Sequence, residues 1–62
     1  MDITALTGLL REAEERHGAY EPIAPPHHWS DWYAAYVVAR ESGRTPDEAV
    51  RDAGQHMEAV LR

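Results

Sequence analysis

Three residues within one helical turn and a half have metal-ligating character: His27, His28 and Asp31. His27 and Asp31 stand four apart and His28 and Asp31 three apart, so either pair shares one face of a helix that extends that far. Adjacent histidines, however, point about 100° apart on a helix and do not serve one ion together without distortion. Two ligands leave such a site incomplete, and His17 or His56 would have to complete it from another helix. The competing reading is that these histidines end a proline-rich segment, solvate it, and help cap the helix that follows. His56 lies beside Met57 near the edge of an apolar stripe, a place where histidines are ordinarily packed or hydrogen-bonded. General-base chemistry needs a positioned partner in a cleft, and Ser30, Ser42, Thr4, Thr7 and Thr45 read as caps or surface residues. No catalytic residue is assigned and no cofactor is expected.

The same segment carries most of the aromatic mass. Residues His27 to Tyr36 hold both tryptophans, two of the three tyrosines and two of the four histidines. Large rings bury roughly 150–250 Å² each when covered, so this segment builds the core or binds something. At helical spacing Trp29, Trp32, Tyr33 and Tyr36 read first as core, yet four rings within eight residues cover more than one side of a helix. Some must lie near the surface. Exposed aromatics are enriched at interfaces, which makes Trp29 and Tyr33, with Tyr20 from the preceding segment, the candidate interaction surface.

Three helices are expected to position these groups. Asp2 caps a first helix over about residues 3–17, whose apolar positions Ile3, Leu6, Leu10 and Ala13, broadened by Leu9, recur at three- and four-residue intervals. Arg11, Glu12, Glu14, Glu15 and Arg16 cover the rest of that cylinder, with Glu12 and Arg16 in favourable order. His17-Gly18 supplies a last turn and a glycine suited to a left-handed cap. From 18 to 27 three prolines, which donate no backbone hydrogen bond, predict an extended strap, with Tyr20 and Ile23 laid across the helices as a lid. The second helix spans about 29–42, with Ser30 as N-cap, Asp31 in the first turn, and an apolar surface nearly all round; it is the central helix. Thr45-Pro46-Asp47-Glu48 combines an N-cap threonine, a proline at the first helical position and a glutamate at the third, so a third helix spans about 46–61. Ala49, Val50, Ala53, Met57, Val60 and Leu61 form its buried stripe, and Gly54 beside it predicts a close neighbour. The expected fold is all-α, a small three-helix bundle forming one domain over 1–62, with the proline-rich strap between helices 1 and 2.

Composition narrows the function classes. A 62-residue chain without cysteine has no disulfide or thiolate metal site to stabilise it. The formal charge of −5, with arginines interleaved among acids, opposes phosphate binding, so no nucleic-acid partner is expected. No apolar run approaches the roughly 20 residues that span a bilayer, and the first residues lack the pattern of a secretory signal; a cytoplasmic protein without a membrane partner is expected. All six basic residues are arginine, alanine is abundant, and asparagine and phenylalanine are missing, as in proteins of GC-rich bacterial genomes.

Taken in order, His17-Gly18-x-Tyr20-Glu21, Trp32-Tyr33-Ala34-Ala35-Tyr36-Val37-x-Ala39-Arg40 and Thr45-Pro46-x-Glu48-Ala49 resemble short helical modules of high-GC bacteria. Those modules occur alone or appended to proteins labelled bleomycin-resistance or glyoxalase-like. Glyoxalase-like proteins build their metal site on paired βαβββ modules, and this chain has no alternating strand segment, so that chemistry transfers to no residue here. The resemblance implies a helical accessory module. The expected role is a protein-interaction module that self-associates as a homodimer; the alternative is a small metal-dependent binding protein or enzyme using His27, His28 and Asp31.

Overall fold

The computed structural model describes residues 1–24 and 26–61, without the side chain of Ile23. It contains three α-helices, α1 (Ile3–Tyr20), α2 (Trp29–Glu41) and α3 (Pro46–Val60), with a single 3-10 turn at Glu21–Ile23 and no strand among the described residues.

Local capping explains where the helices begin and end. Asp2 Oδ1 accepts from the Ala5 amide at 2.7 Å. The expected reciprocal box is formed at α3: the Glu48 amide donates to Thr45 Oγ1 at 3.2 Å and the Thr45 amide to Glu48 Oε1 at 3.0 Å. Gly43, the one described residue set at positive φ (+93°), ends α2. Its amide donates to Arg40 O and that of Arg44 to Ala39 O, each at 3.1 Å, which is the Schellman closure that a left-handed glycine permits.

Four expectations are corrected here. The helix does not stop at His17: Gly18 stays helical and α1 continues to Tyr20. The segment after it is not wholly extended, because Pro22 occupies an early position of the 3-10 turn, where a missing amide hydrogen costs nothing. The lid role of the Ile23 side chain, and Pro25, lie outside the described residues. The N-cap of α2 is His28, not Ser30; its Nδ1 accepts from the Ser30 amide at 3.1 Å. A Cβ built on Gly54 meets nothing within 4 Å, so close packing does not account for that glycine.

α2 is the central element. α1 and α3 both pack on it and hardly touch one another. The core gathers Ala13 of α1, Trp32, Tyr36 and Ala39 of α2, and Ala49, Ala53 and Met57 of α3. Small residues on the two outer helices let them close on the large rings of the middle one. The remaining apolar stripes are not buried as periodicity suggests: Ile3 is 85 % exposed, Leu6 and Leu10 about 40 % and 39 %, and Val60 and Leu61 also face solvent. With only two helices against α2, no third layer exists to cover the N-terminal half of α1.

Candidate functional site

The exposed face of α2 is built by helical geometry. Trp32, Tyr36, Val37 and Ala39 point inward, which turns Ser30, Ala34 and Val38 outward. Val38, one residue beyond the buried Val37, falls on the side that neither α1 nor α3 covers and is 63 % exposed. Trp29, at the first position of the helix, is 54 % exposed. Its indole packs edge-on against Tyr33 at 5.0 Å between centroids and is stacked by His28 at 5.4 Å. Two open hollows flank this face. One of about 310 Å³ lies toward α1 and is lined by Leu6, Leu10, Trp29, Tyr33, Val37 and neighbours; the other, about 470 Å³, lies toward α3 between Ala35, Ala39, Asp52 and His56. Ala34 and Val38 border both.

Of the expected interaction residues, Trp29 stands on this surface, Tyr33 is half-buried at its edge, and Tyr20 belongs elsewhere. Tyr20 packs against His17, His27 and Trp32 with centroids 5.3 to 6.0 Å apart, closing the core where α1 ends. Leu6, Leu10, Ala34 and Val38 were missed as surface residues. The one signal in the sequence was that α2 is apolar on more sides than two neighbouring helices can cover.

The five candidate metal ligands are dispersed. His28 caps α2 and also pairs with Ser30 Oγ at 2.7 Å. His56 Nε2 lies 3.7 Å from Asp31 Oδ1 at the α3–α2 boundary. His17 and His27 meet each other instead, Nε2 to Nε2 at 2.9 Å. A ring-centroid separation of 5.2 Å against that N···N distance places both nitrogens nearly in line between the rings. Such alignment is that of an N–H···N hydrogen bond, with one ring's N–H aimed at the other's lone pair rather than two lone pairs converging on a third point as metal ligation requires. Among the described residues no three potential ligands gather. The sequence pairing of His27 or His28 with Asp31 fails because His27 and His28 precede the helix, where the i,i+4 rule does not operate.

His17 is 6 % exposed, enclosed by Tyr20, His27, Trp32 and Tyr33. Glu21 Oε2 stands 4.0 Å from its Nδ1. Burial depresses its pKa below the usual histidine range, the neighbouring His27 acts in the same direction, and Glu21 opposes them. A base whose folded pKa is depressed contributes stability that is complete above its unfolded value, about 6.5, and is lost as pH falls toward the folded one. Glu12, Glu48 and Asp52 are also held low, by Arg40, by the Thr45 cap and by Arg44 respectively, but they act below the ordinary carboxylate values of 4.5 and 3.8. Urea melts should therefore show stability declining between pH 7 and pH 5, with the decline removed in His17→Leu. A flat profile, or an undiminished slope in the variant, contradicts this assignment.

A second polar group is structural. Glu12 Oε1 accepts from Arg40 Nε at 2.7 Å and from the Tyr36 hydroxyl. Burial first, then this carboxylate, pushes the Tyr36 phenol up to about 12. The expected Glu12–Arg16 pair is thus replaced: Glu12 reaches across to α2, while Arg16 lies 3.6 Å from Asp47. No spacing rule links residues 12 and 40.

No family model, curated protein or solved structure matches the chain. No described helix is long and apolar enough to cross a membrane.

Proposed function

We propose that this three-helix bundle is a small protein-interaction module that self-associates through the outer face of α2 and the adjoining half of α1. The observation that supports it is the uncovered apolar surface in which Leu6, Leu10, Trp29 and Val38 line one hollow, with Ile3 exposed one turn before Leu6 on α1. Contiguous apolar surface of this kind marks an interaction site far more often than a solvated one, and an exposed tryptophan is the residue type most enriched in binding hot spots. The reading agrees with the helical accessory module that the sequence resemblance implies. A chain without cysteine suits the reducing cytoplasm, where we place it.

The histidines support no second reading. Each of the four has a role in the fold or at its surface already: cap, ring-edge packing or carboxylate contact.

Light scattering coupled to size exclusion tests self-association. The expected mass at micromolar concentration is twice the 7.0 kDa of one chain, falling toward that value on dilution. A mass of 7.0 kDa throughout the concentration series removes the proposal.

A further inference from the structure

Ser30, Ala34 and Val38 follow one another at four-residue intervals along the exposed side of α2. Rows of this spacing are the ridges by which helices interlock. Here the ridge runs between two furrows, the hollow toward α1 and the hollow toward α3, and Ala34 and Val38 form a wall of each. A ridge with a furrow beside it is complementary to its own copy after a half-turn: each ridge enters the other's furrow. We infer that a second copy of this chain covers this face, with α2 crossing its counterpart at Ala34, the residue nearest the two-fold axis. The inference rests on the self-association reading and specifies its geometry.

Three features favour a second copy over an unrelated partner. The first is size at the crossing point. Alanine at the centre lets two helix axes approach to about 8 Å, the close end of the range for packed helices, while Val38 provides a branched knob one turn away. Crossing of two such ridges belongs to the class with an interaxial angle near −50°.

The second is charge. At a two-fold axis each group meets its own twin, so any charge there opposes itself. This chain carries a formal −5, yet Ser30, Ala34, Val37 and Val38 hold no charge. The carboxylates bordering the same surface are occupied: Asp31 faces His56 at 3.7 Å, and Asp52 accepts from Arg44 at 2.9 and 3.1 Å. A basic partner would be met by free carboxylates within the patch, and the patch is apolar.

The third is area. A standard interface takes about 800 Å² from each partner, about a fifth of the 4312 Å² this chain exposes. The surface draws on α1 through Leu6 and Leu10, on α2 from Trp29 to Val38, and on the flank of α3, so all three helices contribute to it. Because the pairing is apolar at its centre and the two chains repel at long range, added salt strengthens it by screening. An ion-paired interface would weaken.

The absence of native cysteine makes a single introduced thiol a clean reporter of position. A disulfide requires Cα atoms about 4.4–6.8 Å apart, so only residues beside the axis link to their own twins. On mild oxidation Ala34→Cys is expected to convert almost wholly to covalent dimer, while Gln55→Cys, exposed on α3, stays largely monomeric at the same concentration. Val38→Arg, a change at a position 63 % exposed, should weaken dimerisation at least tenfold and leave the urea melt of the monomer unchanged. Light scattering of the wild-type and reduced variants is run in parallel. A dimer in which Ala34→Cys links no faster than Gln55→Cys, or which Val38→Arg leaves intact, overturns the α2 crossing while self-association stands. Monomers at every concentration overturn both.

Discussion

Trp32→Ala is expected to leave the chain largely unfolded at room temperature. The indole is fully buried and meets rings from every side: Tyr36 stacked at 5.3 Å with an 11° interplanar angle, His17 edge-on at 5.2 Å, and Tyr20 and Tyr33 at 6.0 and 6.2 Å. Truncating such a ring costs about 3–5 kcal/mol through lost transfer energy and the cavity left behind. A domain of this size rarely holds more than about 3–5 kcal/mol in total, so the loss meets the whole reserve. One feature works the other way. Trp32 Nε1 is buried without a hydrogen-bond partner among the described residues, and an unpaired buried donor costs about 1–3 kcal/mol. Trp32→Phe, which keeps an aromatic body and discards that donor, should therefore lose much less than the alanine variant. Circular dichroism in a urea series decides it: a cooperative Trp32→Ala transition within 1 kcal/mol of wild type would mean that the core lies elsewhere.

Tyr36→Ala should be nearly as damaging, and the phenylalanine variant separates its two contributions. The ring, fully buried, stacks on Trp32 and accounts for about 3–5 kcal/mol on truncation. The hydroxyl donates to Glu12 Oε1, a carboxylate that Arg40 also holds at 2.7 Å. Hydrogen bonds to charged groups contribute about 1.5–3 kcal/mol, and Glu12 keeps its arginine in Tyr36→Phe, so that variant should sit toward the lower end. Glu12→Gln keeps an acceptor oxygen but removes the charge that holds both Tyr36 and Arg40, so it should lose at least as much as Tyr36→Phe, and if the network acts as a unit the double variant loses less than the sum of the two. Urea midpoints for the three single variants and the Glu12→Gln/Tyr36→Phe double variant read this directly. Additive losses would show that the hydroxyl and the carboxylate stabilise the fold independently.

The separation between what was legible and what was not follows interaction range. Thr45 and Glu48 announced a helix start because a capping box closes between residues three apart, and nothing remote can change which atoms are in reach. Asp2 was readable for the same reason, as was the succession of helices that made the chain all-α. Even Trp32 and Tyr36 could be placed in the core, since their four-residue spacing puts them on one face of a helix that had to be central.

Local rules misjudged the passage after His17, where proline was read as a barrier although Pro22 stands at a position that needs no amide hydrogen. They were silent on other points. Trp29 was placed at the surface and Trp32 in the core from their neighbours along the helix, but how far each is enclosed depends on where α1 and α3 lie around α2. Leu6 and Leu10 satisfy the periodicity of a buried stripe and are left exposed, because periodicity describes a face and only tertiary packing supplies the surface that covers it. His17 hydrogen-bonds with His27 and Glu12 joins Arg40 across gaps that no spacing rule spans. The sequence by itself determined the helices and their ends, through contacts closed within a turn. The tertiary structure decided which faces meet and which remain open, because helix against helix is settled by the packing of whole surfaces, and three helices do not have enough of it to hide every apolar side chain.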